Sequence, residues 1–185
     1  MVAPLPIPLN AVRTDPSKPE FKALLDWPFA APPFYEGQVK RLLQNDIPDR
    51  VRYQGCQVWV YRNPAGDAVG FGALAICKEK DYEQFTGGKY HSYIPLLAVH
   101  PAYQRRGHGR VIVDHLIAEA VLLAQSPVDI SNLLFLDVYT ANKGAISLYE
   151  KSGFVTLNPD VPIPDPQENN ETYFLMARSV AITPA

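Results

Sequence analysis

The stretch "LAVHPAYQRRGHGR", Leu97–Arg110, decides how this chain is read. An apolar run ends at Pro101, and an amphipathic pattern begins soon after. Between them stand Gln104, Arg105, Arg106, Gly107, His108 and Gly109, followed by Arg110. Glycine lets the backbone turn sharply and lets a ligand reach its N–H groups. The first N–H groups of a helix have no internal partner, and the helix dipole there favours an anion. Arginines at that end are locally unfavourable until an anion joins them. The combination predicts a cradle for a multiply charged phosphate group. Each helix-end interaction contributes roughly 0.3–1 kcal/mol, up to about 2 when partly buried. A glycine-rich turn with solvated arginines would be spelled the same way.

Two other nucleotide signatures are tested against the same chain. A P-loop needs a lysine and a hydroxyl residue after its second glycine, and neither follows Gly109. "GFGALA" at Gly70–Ala75 spells the dinucleotide pattern, but it lies inside a strand-like run with no helix after it.

Working outward, Ile7–Arg13 reads as a first strand, Lys18–Leu25 as a short helix and Tyr35–Gln44 as a second. "CQVWVYRNPAGDAVGFGALAIC" reads as a hairpin turned at "NPAGD". A loop holding Gly87 and Gly88 follows, then a strand over Ser92–Val99 and a long helix over Gly107–Ala124. In that helix Ile112, Leu116, Ala120 and Leu123 make one apolar row. "LLFLDVY", Leu133–Tyr139, suits a central strand covered on both faces. Lys143–Lys151 is a short helix stopped by Gly153, and Phe154–Leu157 and Thr172–Val180 are further strands. Proline clusters at Asp26–Glu36 and Asn158–Pro166 predict non-helical loops. Strands alternating with helices in the second half imply right-handed crossovers and a partly parallel sheet.

Bulk properties narrow the function class. At 185 residues the chain reads as one domain, long enough to bury a core. A net charge of −2 gives no general attraction to nucleic acid or to anionic membrane, so phosphate binding must be local. No apolar run has the length of a membrane span, and the first residues lack the pattern of a signal peptide. Cys56 and Cys77 fall in strand-like runs and read as reduced, buried thiols, so a cytoplasmic location is expected.

With those elements in place, "LAVHPAYQRRGHG" resembles the coenzyme-A motif of the GNAT acyltransferase superfamily. Leu97, Val99, Pro101, Gln104, Gly107 and Gly109 occupy its places. "LDVYTANKGAISLYEKSGF" resembles the closing motif of the same family, with Asn142, Ala145, Leu148, Tyr149 and Gly153–Phe154 in place. The resemblance covers Gln57–Phe154; the tail beyond carries an unusual proline-rich insertion. It implies an α/β (α+β) acyl-CoA N-acyltransferase fold. Its mixed central sheet of about six to seven strands would be flanked by helices, with splayed parallel strands in the middle. The cofactor implied is acetyl-CoA, with no metal. Pantetheine would pair with the backbone of Leu97, Ala98 and Val99. The diphosphate would take the amides of Arg105–Arg110, including Arg106, Gly107, His108 and Gly109, beside Gln104.

The reaction implied is direct transfer of an acetyl group from a thioester to an amine, with no acyl-enzyme. An alkyl ammonium has a pKa near 10, so holding it neutral at pH 7 costs on the order of 4 kcal/mol. Tyr149 matches the family tyrosine that donates to the departing sulfur, and that role is preferred here over a merely packed aromatic. Asn142 matches a cofactor or water contact, and it also suits the N-cap of the helix at Lys143. Many family members carry a glutamate on the strand before the cradle. Here that strand begins "YHSYIPLLAV" without a carboxylate, which leaves His91 or Tyr93 to accept a proton. Asp137 could orient groups nearby or serve structure alone, and His100 and His108 read as exposed loop residues. Trp27, Phe34, Tyr35 and Tyr90 are candidates for the acceptor wall, with Phe29 and Tyr173 beside them. The acceptor is expected to be a small amine, an amino acid or a peptide N-terminus; a homodimer stays open. An acyl-CoA sensor without catalysis is the competing reading.

Overall fold

The computed structural model describes residues 8–28, 39–78, 82–165 and 171–181. Phe29, Phe34, Tyr35 and the start of the helix expected over Tyr35–Gln44 lie outside them. The chain divides into two compact units, Met1–Ala75 with Pro95–Leu116 and Ile76–Ile94 with Ile117–Ala185. Among the described residues the strands are ordered β1-β2-β3-β4-β5-β8-β6, with β7 on β8, eight strands where the sequence suggested about six to seven.

The first unit begins with β1 (Asn10–Thr14), which runs antiparallel to β2 (Gln57–Arg62). A short helix, α1 (Pro19–Lys22), continues as a 3-10 turn over Ala23–Asp26. The next helix outruns its expected end at Gln44. It widens into a π-turn over Leu42–Asp46 and resumes as α2 (Ile47–Tyr53). Pro48 explains the widening: it offers no N–H and its ring crowds the preceding turn, so the chain takes an extra residue there. β2 turns back into β3 (Ala68–Cys77) through Asn63–Asp67, where the Asn63 side chain bonds both the amide and the carboxylate of Asp67.

The rejected "GFGALA" motif finds its explanation in β3. A Cβ added at Gly70 would stand 2.4 Å from Ile112 Cδ1 and 3.0 Å from the Ala98 carbonyl oxygen. The glycine is there because helix and strand meet without room for a side chain, and the spacing has nothing to do with a nucleotide. Ile112, Val113 and Leu116 are fully buried, as are Val60 and Phe71.

The second unit holds a short helix, α3 (Glu83–Thr86), inside the expected glycine loop. Strand β4 (Tyr90–Val99) enters here and continues into the first unit. Over its first half it runs parallel to β5 (Ile130–Tyr139), from Tyr90↔Ile130 to Ile94↔Leu136. That register ends just before Pro95, which has no amide to donate. The long helix α4 (His108–Ala124) begins in the first unit and ends in the second. Helix α5 (Lys143–Lys151) has the predicted ends. Strands β6 (Val155–Thr156) and β7 (Ile163–Pro164) both pair antiparallel with β8 (Thr172–Ser179), which runs antiparallel to β5. β7 corrects the loop expected for the second proline cluster: an edge strand tolerates proline where an inner one does not. Phe135, Leu175, Ala177 and Tyr82 form this unit's core. Among the described residues no helix is long and apolar enough to cross a membrane. Cys56 and Cys77 are buried thiols that form no disulfide.

Candidate active site

In the first unit, β4 ends at Val99 and the chain turns through a 3-10 stretch, Pro101–Tyr103. His100 caps this turn, its Nδ1 accepting from the Ala102 amide at 3.2 Å. Gln104 Nε2 donates to the Val99 carbonyl at 3.1 Å and fixes the bend. Arg105 then adopts φ +60° and Gly107 φ +83°. The left-handed turn costs an arginine free energy, and it follows Gln104 in extended backbone (φ −63°, ψ 160°), so the chain reverses here on its way into α4. The amides of Gly107, His108 and Gly109 donate to no backbone acceptor among the described residues. They open onto the N-terminus of the 17-residue helix α4. The side chains of Arg105 and Arg106 are exposed.

Three residues behave differently from expectation. His108 is buried, not exposed: helix α4 begins there, and its ring lies edge-on to Tyr103 at 6.3 Å. Burial first, then the nearby Arg106 charge, lowers its pKa. His100 is half-buried rather than exposed, its ring 5.0 Å from that of Trp27. Arg110 is engaged within the helix: its amide donates to the Gly107 carbonyl at 3.0 Å and its Nε to Asp114 at 2.8 Å. Trp27 is buried against Phe71 at 5.9 Å.

The second unit carries the candidates for proton transfer. Tyr93 Oη donates to Asp137 Oδ2 at 2.8 Å. The parallel register makes this pairing: Tyr93 faces Phe135, so Asp137 lies two residues further along β5, on the same face. Asp137 lines a cleft of about 990 Å³. Around it stand Tyr82, Glu83, Gln84 and Phe85 from the α3 region and Tyr173 and Leu175 from β8. Leu157, Asn158 and Ile163 close another side. Of these only Tyr173 was anticipated for the acceptor wall. The lone charge within "LLFLDVY" was the signal for Asp137; nothing in the sequence marked Tyr82 or Phe85.

His91 is buried without exposure, and neither ring nitrogen has a hydrogen-bond partner among the described residues. Its ring packs against Tyr82 at 4.7 Å and Phe135 at 5.1 Å. Burial lowers its pKa to about 4. The unfolded chain therefore takes up this proton first, since an unperturbed histidine titrates near 6.5. Stability present above pH 6.5 is eroded as the pH falls toward 4. Between pH 7 and pH 5 the wild type should lose about 2 kcal/mol relative to His91→Phe. Thermal melts of both proteins at the two pH values test this, and parallel losses would contradict it.

Tyr149 lies on α5, buried and edge-on to Phe154 at 5.8 Å. Burial pushes its phenol up to about 12. Asn142 is the N-cap of α5, its Oδ1 accepting from the Ala145 amide at 3.1 Å. Tyr90 is exposed, with Lys78 Nζ 5.5 Å from its ring centre, and it is not among the residues that line the cleft. No group of three or more His, Cys, Asp or Glu is gathered among the described residues.

The chain is similar to known proteins. The chain is 45% identical over 58 residues to the [Ribosomal protein bS18]-alanine N-acetyltransferase of Salmonella typhimurium; the match covers 31% of this chain and 35% of that protein. The protein of the same description from Escherichia coli strain K12 matches to the same extent. The chain thus spans about a third of the length of these curated relatives. In structure it resembles NAA60 of Arabidopsis thaliana, solved with a bisubstrate analogue, at a TM-score of 0.66 and 17% identity. That likeness covers 93% of this chain and 98% of the other, and it shows the fold. The sequence profile of the acetyltransferase (GNAT) family matches residues 21–154, more than half of the chain. The cradle, the paired strands and the closing helix all fall within that span, and the chain belongs to the GNAT acetyltransferase family.

Proposed function

We propose that this protein is an acetyl-CoA-dependent N-acetyltransferase acting on primary amines. The observation that carries the reading is the turn at Arg105–Gly109, left-handed at Arg105 and Gly107, that leads into the N-terminus of α4. The amides of Gly107, His108 and Gly109 and two exposed arginines fit a diphosphate, so the residues present fit coenzyme A. The backbone of Leu97, Ala98 and Val99 takes the pantetheine arm, and Gln104 holds the bend. Acetyl-CoA supplies the activated acyl group.

Asp137 accepts the proton from the amine. It lines the cleft, and the bond from Tyr93 fixes the direction of its carboxylate. As the nitrogen lone pair is committed to the new bond, its remaining hydrogen becomes acidic and a carboxylate within reach takes it. His91 suits this role less: its ring is sealed by Tyr82 and Phe135. Tyr149 lends a hydrogen bond to the departing sulfur. With a pKa of about 12 it holds its proton throughout the working range. Surrendering that proton to a thiolate of pKa about 8.5 would cost about 5 kcal/mol. It therefore stabilises the sulfur as a donor and does not become a phenolate.

The test is thiol release from acetyl-CoA in the presence of an amine panel that includes peptide N-termini. Turnover with at least one amine is expected. Tyr149→Phe should lower kcat by about 10–100-fold with CoA binding unchanged. Tight CoA binding without turnover on any amine would favour a sensor.

A further inference from the structure

Residues Asn158–Asp165, within the second proline cluster, form a strap that borders the cleft of the second unit at Asn158 and Ile163. Pro159, Pro162 and Pro164 have no amide to donate, so the strap depends on anchors at its two ends. At the first end, Asn158 Oδ1 accepts from the Leu175 amide at 2.8 Å, and Asn158 Nδ2 donates to the Val161 carbonyl at 3.1 Å. At the other end, the Asp165 amide donates to the Glu171 carbonyl at 2.9 Å, and the Tyr139 hydroxyl donates to the Asp165 carboxylate. Between the anchors Ile163 pairs with Tyr173. Directly paired residues present their side chains on one face, and both of these line the cleft. Across from them Phe85, a large apolar side chain left 36% exposed, also borders the cleft, backed by Phe135 at 6.3 Å.

We infer that the strap is a fixed wall, latched by Tyr139 and Asp165, and that with Phe85 it selects amines carrying an apolar group beside the nitrogen. The inference rests on the acetyltransferase reading above and specifies its acceptor. Among the described residues Asp137 and Glu83 are the carboxylates that line the cleft, and they meet the ammonium. Ile163, Leu157, Leu175 and the rings of Tyr173 and Phe85 meet the apolar group attached to it. A polyamine would leave its further charges against this apolar lining. An acceptor of the form ammonium, then one apolar side chain, matches both parts. Tyr139 is a positioning residue: its hydroxyl acts on the acceptor only through Asp165 and the strap.

The experiment uses the whole chain and short peptides differing only in the first residue, Phe, Met, Gly or Asp, with spermidine beside them. The kcat/KM for Phe- and Met-initiated peptides should exceed that for Gly- and Asp-initiated ones by about 10-fold or more. Tyr139→Phe should raise the KM for the Phe-initiated peptide about 5- to 10-fold, leaving kcat and the KM for acetyl-CoA unchanged. Phe85→Ala should flatten the preference. Hydrogen exchange at the Leu175 amide, read without substrate, should quicken in Tyr139→Phe. Equal kcat/KM across the peptides, or spermidine as the best acceptor, would overturn the selectivity. Unchanged Leu175 protection, or a parallel rise in both KM values, would overturn the latch. Failure to acetylate any amine would instead defeat the acetyltransferase reading, while Leu175 protection would still judge the latch.

Discussion

Asp137→Asn is expected to lower kcat at pH 7 by about 10²–10⁴-fold, the range that a positioned general base contributes. The substitution keeps the side chain's shape and an oxygen for the Tyr93 hydroxyl, so the strand pairing around Leu136 and Leu175 should survive. The KM for acetyl-CoA should not change, since the cradle residues are untouched. The pH profile separates a lost base from a damaged site. The neutral fraction of an amine of pKa near 10 rises with pH equally for both proteins, but hydroxide, which rises about tenfold per pH unit, can take the proton in place of Asp137 only where Asp137 is missing. Activity of the variant should therefore climb with pH, and its deficit against the wild type should narrow toward pH 10. A deficit constant at every pH would indicate a distorted site. Undiminished turnover at pH 7 would remove Asp137 from the mechanism and return attention to His91.

The second large effect is expected at the cradle. Arg105→Glu with Arg106→Glu should weaken CoA binding by about 100-fold or more. Two charge-assisted hydrogen bonds of roughly 1.5–3 kcal/mol each are lost, and two like charges face the diphosphate. Both side chains are exposed, so stability should stay within about 0.5 kcal/mol of the wild type. Binding by the wild type should fall with added salt, and the variant's residual binding should depend on salt less. Calorimetry of CoA binding, paired with thermal melts, reads both quantities. Equal affinities in two well-folded proteins would contradict the assignment.

Much of the architecture was legible because local signals agreed with one another. Asn142 as a cap and Gly153 as a stop bracketed α5 to the residue. The apolar row from Ile112 to Leu123 bracketed α4 to within one. The elements that escaped were those without a period. Glu83–Thr86 is a single helical turn, and Ile163–Pro164 is a two-residue strand hidden among prolines. The π-turn at Leu42–Asp46 follows from how a helix absorbs Pro48, which no propensity scale encodes. The candidate site divides in the same way. The turn proposed to hold the diphosphate was visible as a turn because adjacent residues build it. The Tyr93–Asp137 bond was not, because the two residues stand 44 positions apart and only the parallel register joins them. His108 was misplaced for a related reason. Its letters say loop, but the helix starts beneath it and turns its ring inward.

The central claim is that main-chain amides between Arg105 and Gly109, rather than arginine side chains alone, grip the diphosphate. Amide resonances of 15N-labelled protein, followed during titration with CoA and with pantetheine, test it most directly. CoA should move the Gly107, His108 and Gly109 amides strongly downfield, as new hydrogen bonds to an anion require, and pantetheine, which lacks the diphosphate, should leave them in place. Saturation by CoA with those amides unmoved would contradict it.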